Sequence, residues 1–184
     1  MGANATNAEI VQLDVVSTMK LAGTEVTATA DELNAAADRS TKVVTIADGT
    51  NTLSLTQYLH AGRITYVLDA TLAITLPEAT GTGDVYTVVQ GITATGSTIV
   101  TADTSNAGFR GMLMALDGDD EATLTSWPAA VAGTDDTITL NGVATGGKIG
   151  DHFTFVDVAT DKWLVGGQIT ESGGSEATPF SSAA

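Results

Sequence analysis

The chain has 184 residues, enough for one domain with a real core, and no cysteine, which excludes disulfides and thiolate metal sites. Seven basic residues face 22 acidic ones for a net charge of −15, which excludes nucleic-acid binding driven by neutralised phosphates and predicts no nucleic-acid partner. No apolar run approaches the ~18 residues of a membrane-spanning helix, so no membrane is expected as a partner.

Residues 1–41 read as an N-terminal arm. Met1–Glu9 is small and polar, without the basic and apolar regions of a secretory leader. Apolar residues then come at Ile10, Val11, Leu13, Val15, Val16, Met19 and Leu21, a spacing that fits either an extended arm or a short helix, and Gly23 interrupts it. Thr29-Ala30-Asp31-Glu32 is a capping-box pattern, in which the Thr29 hydroxyl accepts from the Glu32 amide and the Glu32 carboxylate accepts from the Thr29 amide. It predicts one short helix over 30–38, with Leu33 as its only bulky apolar residue. A helix this short is marginal alone, so the arm is expected to rest on a larger surface.

Residues 42–170 read as the β body. Leu72, Ile74 and Leu76 alternate with Thr71, Ala73 and Thr75, and the same period of two recurs at Ile138/Leu140 and at Phe153/Phe155. Strands are predicted at 42–47, 52–57, 63–69, 71–76, 84–90, 97–102, 110–116, 122–126, 136–141, 152–158 and 162–169. Turn chemistry separates them at Asp48-Gly49, Gly81-Thr82-Gly83, Gly96-Ser97, Asn141-Gly142, Gly146-Gly147 and Asp161-Lys162. Aromatics make up only 5% of the chain, so Val, Ile and Leu must fill the core around anchors such as Trp127, Phe153, Phe155 and Trp163. The fold class expected is mostly β: an antiparallel sandwich or jelly-roll-like body with one short N-terminal helix and flexible termini. Neither heptads nor an internal repeat stands out. Residues 171–184, rich in Gly, Ser and Ala, read as a flexible tail in which Phe180 alone is able to dock on a neighbour.

Chemical motifs are sparse. Asp117-Gly118-Asp119-Asp120-Glu121 starts like a calcium loop, but Ala122 stands where such a loop needs Gly and Pro128 where it needs Glu. A solvated acidic hairpin turn is the better reading. His60 and His152 lack the spacing of a metal pair and read as structural or surface residues. Gly81-Thr82-Gly83 lacks the third glycine of a dinucleotide loop. No nucleophile elbow or P-loop occurs, and aromatics are too scarce to surround a sugar between two carboxylates. Trp163 reads as a core anchor; Trp127, beside Pro128, fits a core place or an exposed platform equally. No enzyme activity, no cofactor and no bound metal are expected.

Two stretches carry a resemblance. Residues 22–34, Ala-Gly-Thr-Glu-Val-Thr-Ala-Thr-Ala-Asp-Glu-Leu-Asn, resemble the GT.VTATA.ELN segment of bacteriophage head-decoration, head-fibre and tail-fibre proteins. In the body, residues 75–88 resemble the LP.ATG.G..YT segment of similar proteins. Residues 133–142, Gly150-Asp151-His152 and residues 162–167 resemble their C-terminal half, where a Gly-Asp turn leads to a strand bearing Trp. The resemblance implies a structural virion protein, most simply a decoration or cement protein on the outer capsid surface, assembled in the host cytoplasm. It implies the major capsid protein as partner and self-association as a homotrimer. The alternative is a fibre or receptor-binding adhesin, against which the missing shaft repeats count. Capsid binding is expected from the apolar arm residues Val11, Leu13, Val15, Val16, Met19 and Leu21.

Overall fold

A computed structural model describes residues 20–22, 24–37, 42–102, 107–119, 123–130 and 133–182. The chain divides into two units, Met1–Ala37 and Asp38–Ala184.

In the first unit, β1 (Lys20–Leu21) and β2 (Thr24–Glu25) pair antiparallel, and α1 (Ala30–Ala37) follows. The capping box forms as expected. The Thr29 amide donates to the Glu32 carboxylate at 2.7 Å, and the Glu32 amide donates to the Thr29 hydroxyl at 3.2 Å. Together with the Thr29 hydroxyl these bonds hold the Glu32 carboxyl below its usual pKa.

The second unit begins as a flattened coil. Its strands are β3 (Val43–Ile46), β4 (Thr52–Ser54), β5 (Ile64–Val67), β6 (Ala73–Thr75), β7 (Val85–Gln90) and β8 (Ser97–Val100), with one helical turn, α2 (Gln57–His60), after β4. These strands alternate between two sheets. β3, β5 and β7 lie parallel in one, and β4, β6 and β8 lie parallel in the other. Three turns of chain are thus stacked as a short β-solenoid. Val43 lies opposite Ile64 and Thr52 opposite Ala73, each 21 residues on, while Ile64 and Ala73 meet Thr87 and Thr98 across a slightly longer turn. Parallel pairing needs a long crossover, and here the crossover is the strand in the opposite sheet. Inward positions stack aliphatic on aliphatic: Leu53 beside Ile74 and Ile74 beside Ile99. At one corner the buried Asp69 carboxylate takes the Asn51 amide at 2.8 Å and the Thr71 amide at 2.9 Å, stapling the first coil to the second. Those amides hold its pKa below the usual aspartate value.

Beyond the coil come β9 (Gly108–Asp117), β10 (Leu124–Pro128), β11 (Thr137–Leu140), β12 (His152–Ala159), β13 (Lys162–Glu171) and β14 (Phe180–Ser181). The completed sheets run β10-β9-β13-β12-β7-β5-β3 and β14-β11-β8-β6-β4. Both are mixed. The additions to the coil pair antiparallel except β9, which runs parallel to β13 over ten residues. The inner faces of the two sheets share one core. Its aromatic centre is Phe109, Phe153, Phe155, Trp163 and Phe180, with ring centroids 5.7 Å apart for Phe109–Phe155 and 6.1 Å for Phe109–Phe180.

The mostly β body, its two layers and most predicted strand positions agree with the sequence reading, but the strand predicted over 52–57 ends at Ser54 and its last residue, Gln57, starts the unpredicted α2. The pairing pattern differs from the antiparallel one expected, because consecutive strands of the coil change sheets instead of forming hairpins. A repeat is present after all. It is a repeat of coil geometry, and only scattered identities such as Asp48/Asp69 and Leu55/Leu76 mark it in the sequence. The expected flexible tail also differs. The amide of Thr139 donates to Pro179 O, that of Ala177 to Ala144 O, and Phe180 is buried against Phe109. Trp163 is a core residue, as read from the sequence, and Trp127 packs half-buried against the same core.

Candidate functional site

Of the residues expected to bind a capsid, Val11, Leu13, Val15, Val16 and Met19 lie outside the described residues. Leu21 falls in β1 with only its backbone described.

One concavity of the body is a cleft of about 100 Å³ lined by residues including Gln57, Glu78, Thr82, Asp84, Tyr86 and Trp163. Its wall is the turn Thr80-Gly81-Thr82, which Gly81 permits by adopting φ 83°. Asp157, buried on β12, reaches into that turn. Its carboxylate accepts the amides of Thr80 at 3.0 Å, Gly81 at 2.6 Å and Thr82 at 3.1 Å, and the Thr82 hydroxyl at 3.0 Å. Burial pushes the Asp157 pKa up, but these four donors outweigh it and leave the group below its usual value and ionised. Asp84 accepts from Gln57 Nε2 at 2.6 Å and lies 2.9 Å from the Thr82 hydroxyl, whose single proton it shares with Asp157. The floor is Tyr86 set edge-on to Trp163, centroids 5.6 Å apart. Burial, with Asp84 and Asp157 nearby, pushes the Tyr86 hydroxyl up to about 12, so it stays protonated. The carboxylates here are occupied in holding a turn, and the chemistry they supply is hydrogen bonding rather than proton transfer.

A second group of acids gathers at the far end of β13. Glu171 is buried there, and burial raises its pKa; the Trp127 indole opposes the rise, while Glu176, Asp151 and Asp117 add to it. Glu171 Oε1 and Trp127 Nε1 are both buried without a hydrogen-bond partner among the described residues. Asp151 is also buried and raised by burial, despite accepting the Gly147 amide at 2.8 Å and the Lys148 amide at 2.9 Å. The acidic motif noted in the sequence ends in this region as the β9–β10 turn. Asp117 Oδ1 accepts the Asp119 amide and Asp119 accepts the Gly173 amide. Asp120 and Glu121 lie outside the described residues. Among the described residues no three His, Asp or Glu side chains are grouped to hold a metal ion. Glu171 carried no sequence signal, because Trp127 comes from a strand far away along the chain, whereas Asp151, noted in the Gly150-Asp151-His152 turn, takes the Gly147 and Lys148 amides, four and three residues before it.

His60, buried, accepts the Thr56 amide on Nδ1 at 2.9 Å and closes α2; burial holds its pKa below the usual histidine value. His152 lies in β12, half-buried on its outer side. Among the described residues no helix is long and apolar enough to cross a membrane.

Comparison with models of known protein families, with curated proteins and with solved structures returns no match to this chain.

Proposed function

We propose that this chain is a non-enzymatic structural protein of a bacteriophage particle, a decoration protein on the outer capsid surface with the major capsid protein as its partner. The observation that carries the reading is the division of the chain into an N-terminal unit and a separate β body. The apolar residues Val11 to Leu21 belong to the first, while the body closes its own core from Ile46 to Phe180. An arm with surplus apolar residues gains order by laying them on another protein, and an acidic body tolerates water better than packed DNA. The resemblance of residues 22–34 to decoration and fibre proteins supports the same place on a particle. A second reading, a fibre or receptor-binding protein, is favoured by one observation, the three-coil solenoid. Stacked coils are how shafts are built.

The test is binding to purified particles that lack the protein. Full-length chain should co-sediment with them. Deleting residues 1–21, or placing Asp at Val11, Leu13 and Val15 in the full chain, should abolish binding while the β circular dichroism remains. Undiminished binding by both variants would assign attachment to the body, and localisation to a fibre tip would favour the second reading.

A further inference from the structure

The outer face of the seven-stranded sheet differs from the rest of this acidic molecule. Outward positions are those that alternate with the buried ones along each strand. The register aligns them in rows. One row runs Val43, Ile64, Thr87, Thr154, Gly166 and Met112. Beside it Val85, Val156 and Leu164 line up. The chain carries 22 carboxylate residues, yet none occupies an outward position on any of the seven strands. Eight of the fourteen exposed large apolar side chains among the described residues stand here, Met112 at 52%, Met114 at 47% and Leu164 at 44% among them. Within this face Gly166 leaves a dent, since a Cβ there would meet nothing within 4 Å.

We propose that this face is the contact between copies of this chain, a second copy packing its own face against it. Two molecules of charge −15 repel wherever carboxylates meet, and a surface without them is where that repulsion is least. A face of this kind is complementary to itself in size and apolarity, and its charged outward residues, Arg110 and Lys162, are basic rather than acidic. Seven strands ~4.8 Å apart and about six residues long cover roughly 600 Å² on each copy. Two such faces bury about 1,200 Å², the lower end of stable protein interfaces. The outer face of the other sheet also lacks carboxylates, but none of the exposed large apolar side chains among the described residues stands on it. The hydroxyls of Thr52, Ser54, Thr75, Thr98 and Thr139 dominate it, and their desolvation opposes burial. On the larger sheet Thr45, Thr87, Ser126, Thr154 and Thr170 are interspersed among aliphatic side chains. The proposal concerns the purified chain alone and stands or falls independently of the virion reading.

Sedimentation equilibrium of the full chain over a range of concentrations tests it. The wild type should show a multiple of 18.6 kDa that falls toward one chain on dilution. The double variant Met112→Glu/Met114→Glu, whose register partners Gly166, Pro128, Gln168 and Ser126 carry no cation, should weaken association at least about a hundredfold, because it buries unpaired charges. Thr139→Glu, on the opposite sheet, should leave association unchanged. Should the double variant fail to fold, peroxide oxidation of wild-type Met112 and Met114 supplies the second measurement, and it should slow as concentration rises. A wild type that is a single chain at every concentration, whatever then covers the face on a particle, would overturn the proposal. So would a folded double variant that still associates, or oxidation that ignores concentration.

Discussion

On the outer side of the five-stranded sheet, Thr52, Ser54, Thr75, Thr98, Thr137 and Thr139 stand in rows of hydroxyls. On the outer side of the seven-stranded sheet the equivalent rows are dominated by Val, Ile, Leu and Met, with hydroxyls such as Thr87 and Thr154 between them. The inner sides are alike, aliphatic and aromatic at their centres, with polar residues such as Gln90, Asp157 and Glu171 toward the strand ends. Threonine satisfies β propensity while keeping a wet face wet, so the smaller sheet reads as one buried side and one solvated side. Aliphatic residues on both sides of the larger sheet mean that its outer side is also suited to cover. The difference separates what folds the chain from what the chain offers to others.

The largest expected effect is on the side the sheets share. Phe155→Ala empties the centre of the core and should cost about 3–5 kcal/mol by denaturant unfolding, whereas Thr154→Ala, its outward neighbour, should stay within about 0.5 kcal/mol. A similar loss for both would mean that the outer side is packed within the monomer. Next comes the turn at the cleft. Asp157→Asn loses the charge that organises the amides of Thr80, Gly81 and Thr82, and should cost about 2 kcal/mol. Tyr86 and Trp163 should keep the core closed, so the near-ultraviolet spectrum should change little.

Acid should divide the buried carboxylates by sign. Asp69 and Asp157 are lowered, so the stability they contribute is present above the usual aspartate range and is lost as pH falls through their folded values. Asp151 and Glu171 are raised, so the folded state takes up their protons first and gains stability as pH falls through those raised values. Melting temperature should therefore rise on mild acidification and fall in stronger acid. Glu171→Gln should raise it at neutral pH and flatten the mild-acid rise. A melting temperature that drops steadily from neutrality would place the ionised Glu171 in a satisfied site.

Much of this was legible residue by residue. Alternation at Leu72/Ile74/Leu76, Ile138/Leu140 and Phe153/Phe155 named core positions, and Thr29 with Glu32 announced α1. The coil was not legible, because an inward position accepts any aliphatic side chain and therefore leaves little identity between turns. β14 was missed because Phe180 owes its place to Phe109, 71 residues earlier in the chain. The outer apolar face was missed for a related reason. In β9, Met112, Leu113, Met114 and Ala115 are apolar without alternation, which identifies a strand but not a second covered side. Asp157 does not stand out in the sequence, because the amides of Thr80, Gly81 and Thr82 that it accepts lie 75 to 77 residues before it.

The smallest perturbation addresses the two faces directly. The chain has no cysteine, so one introduced thiol reports on one place. Met114→Cys and Thr139→Cys put that thiol on the aliphatic and hydroxyl faces respectively, and each can be timed against a maleimide at low and high protein concentration. The Met114→Cys thiol should react more slowly as concentration rises, while the Thr139→Cys thiol reacts at one rate throughout. Protection at Thr139→Cys with none at Met114→Cys would contradict the assignment of the aliphatic face as the surface between copies.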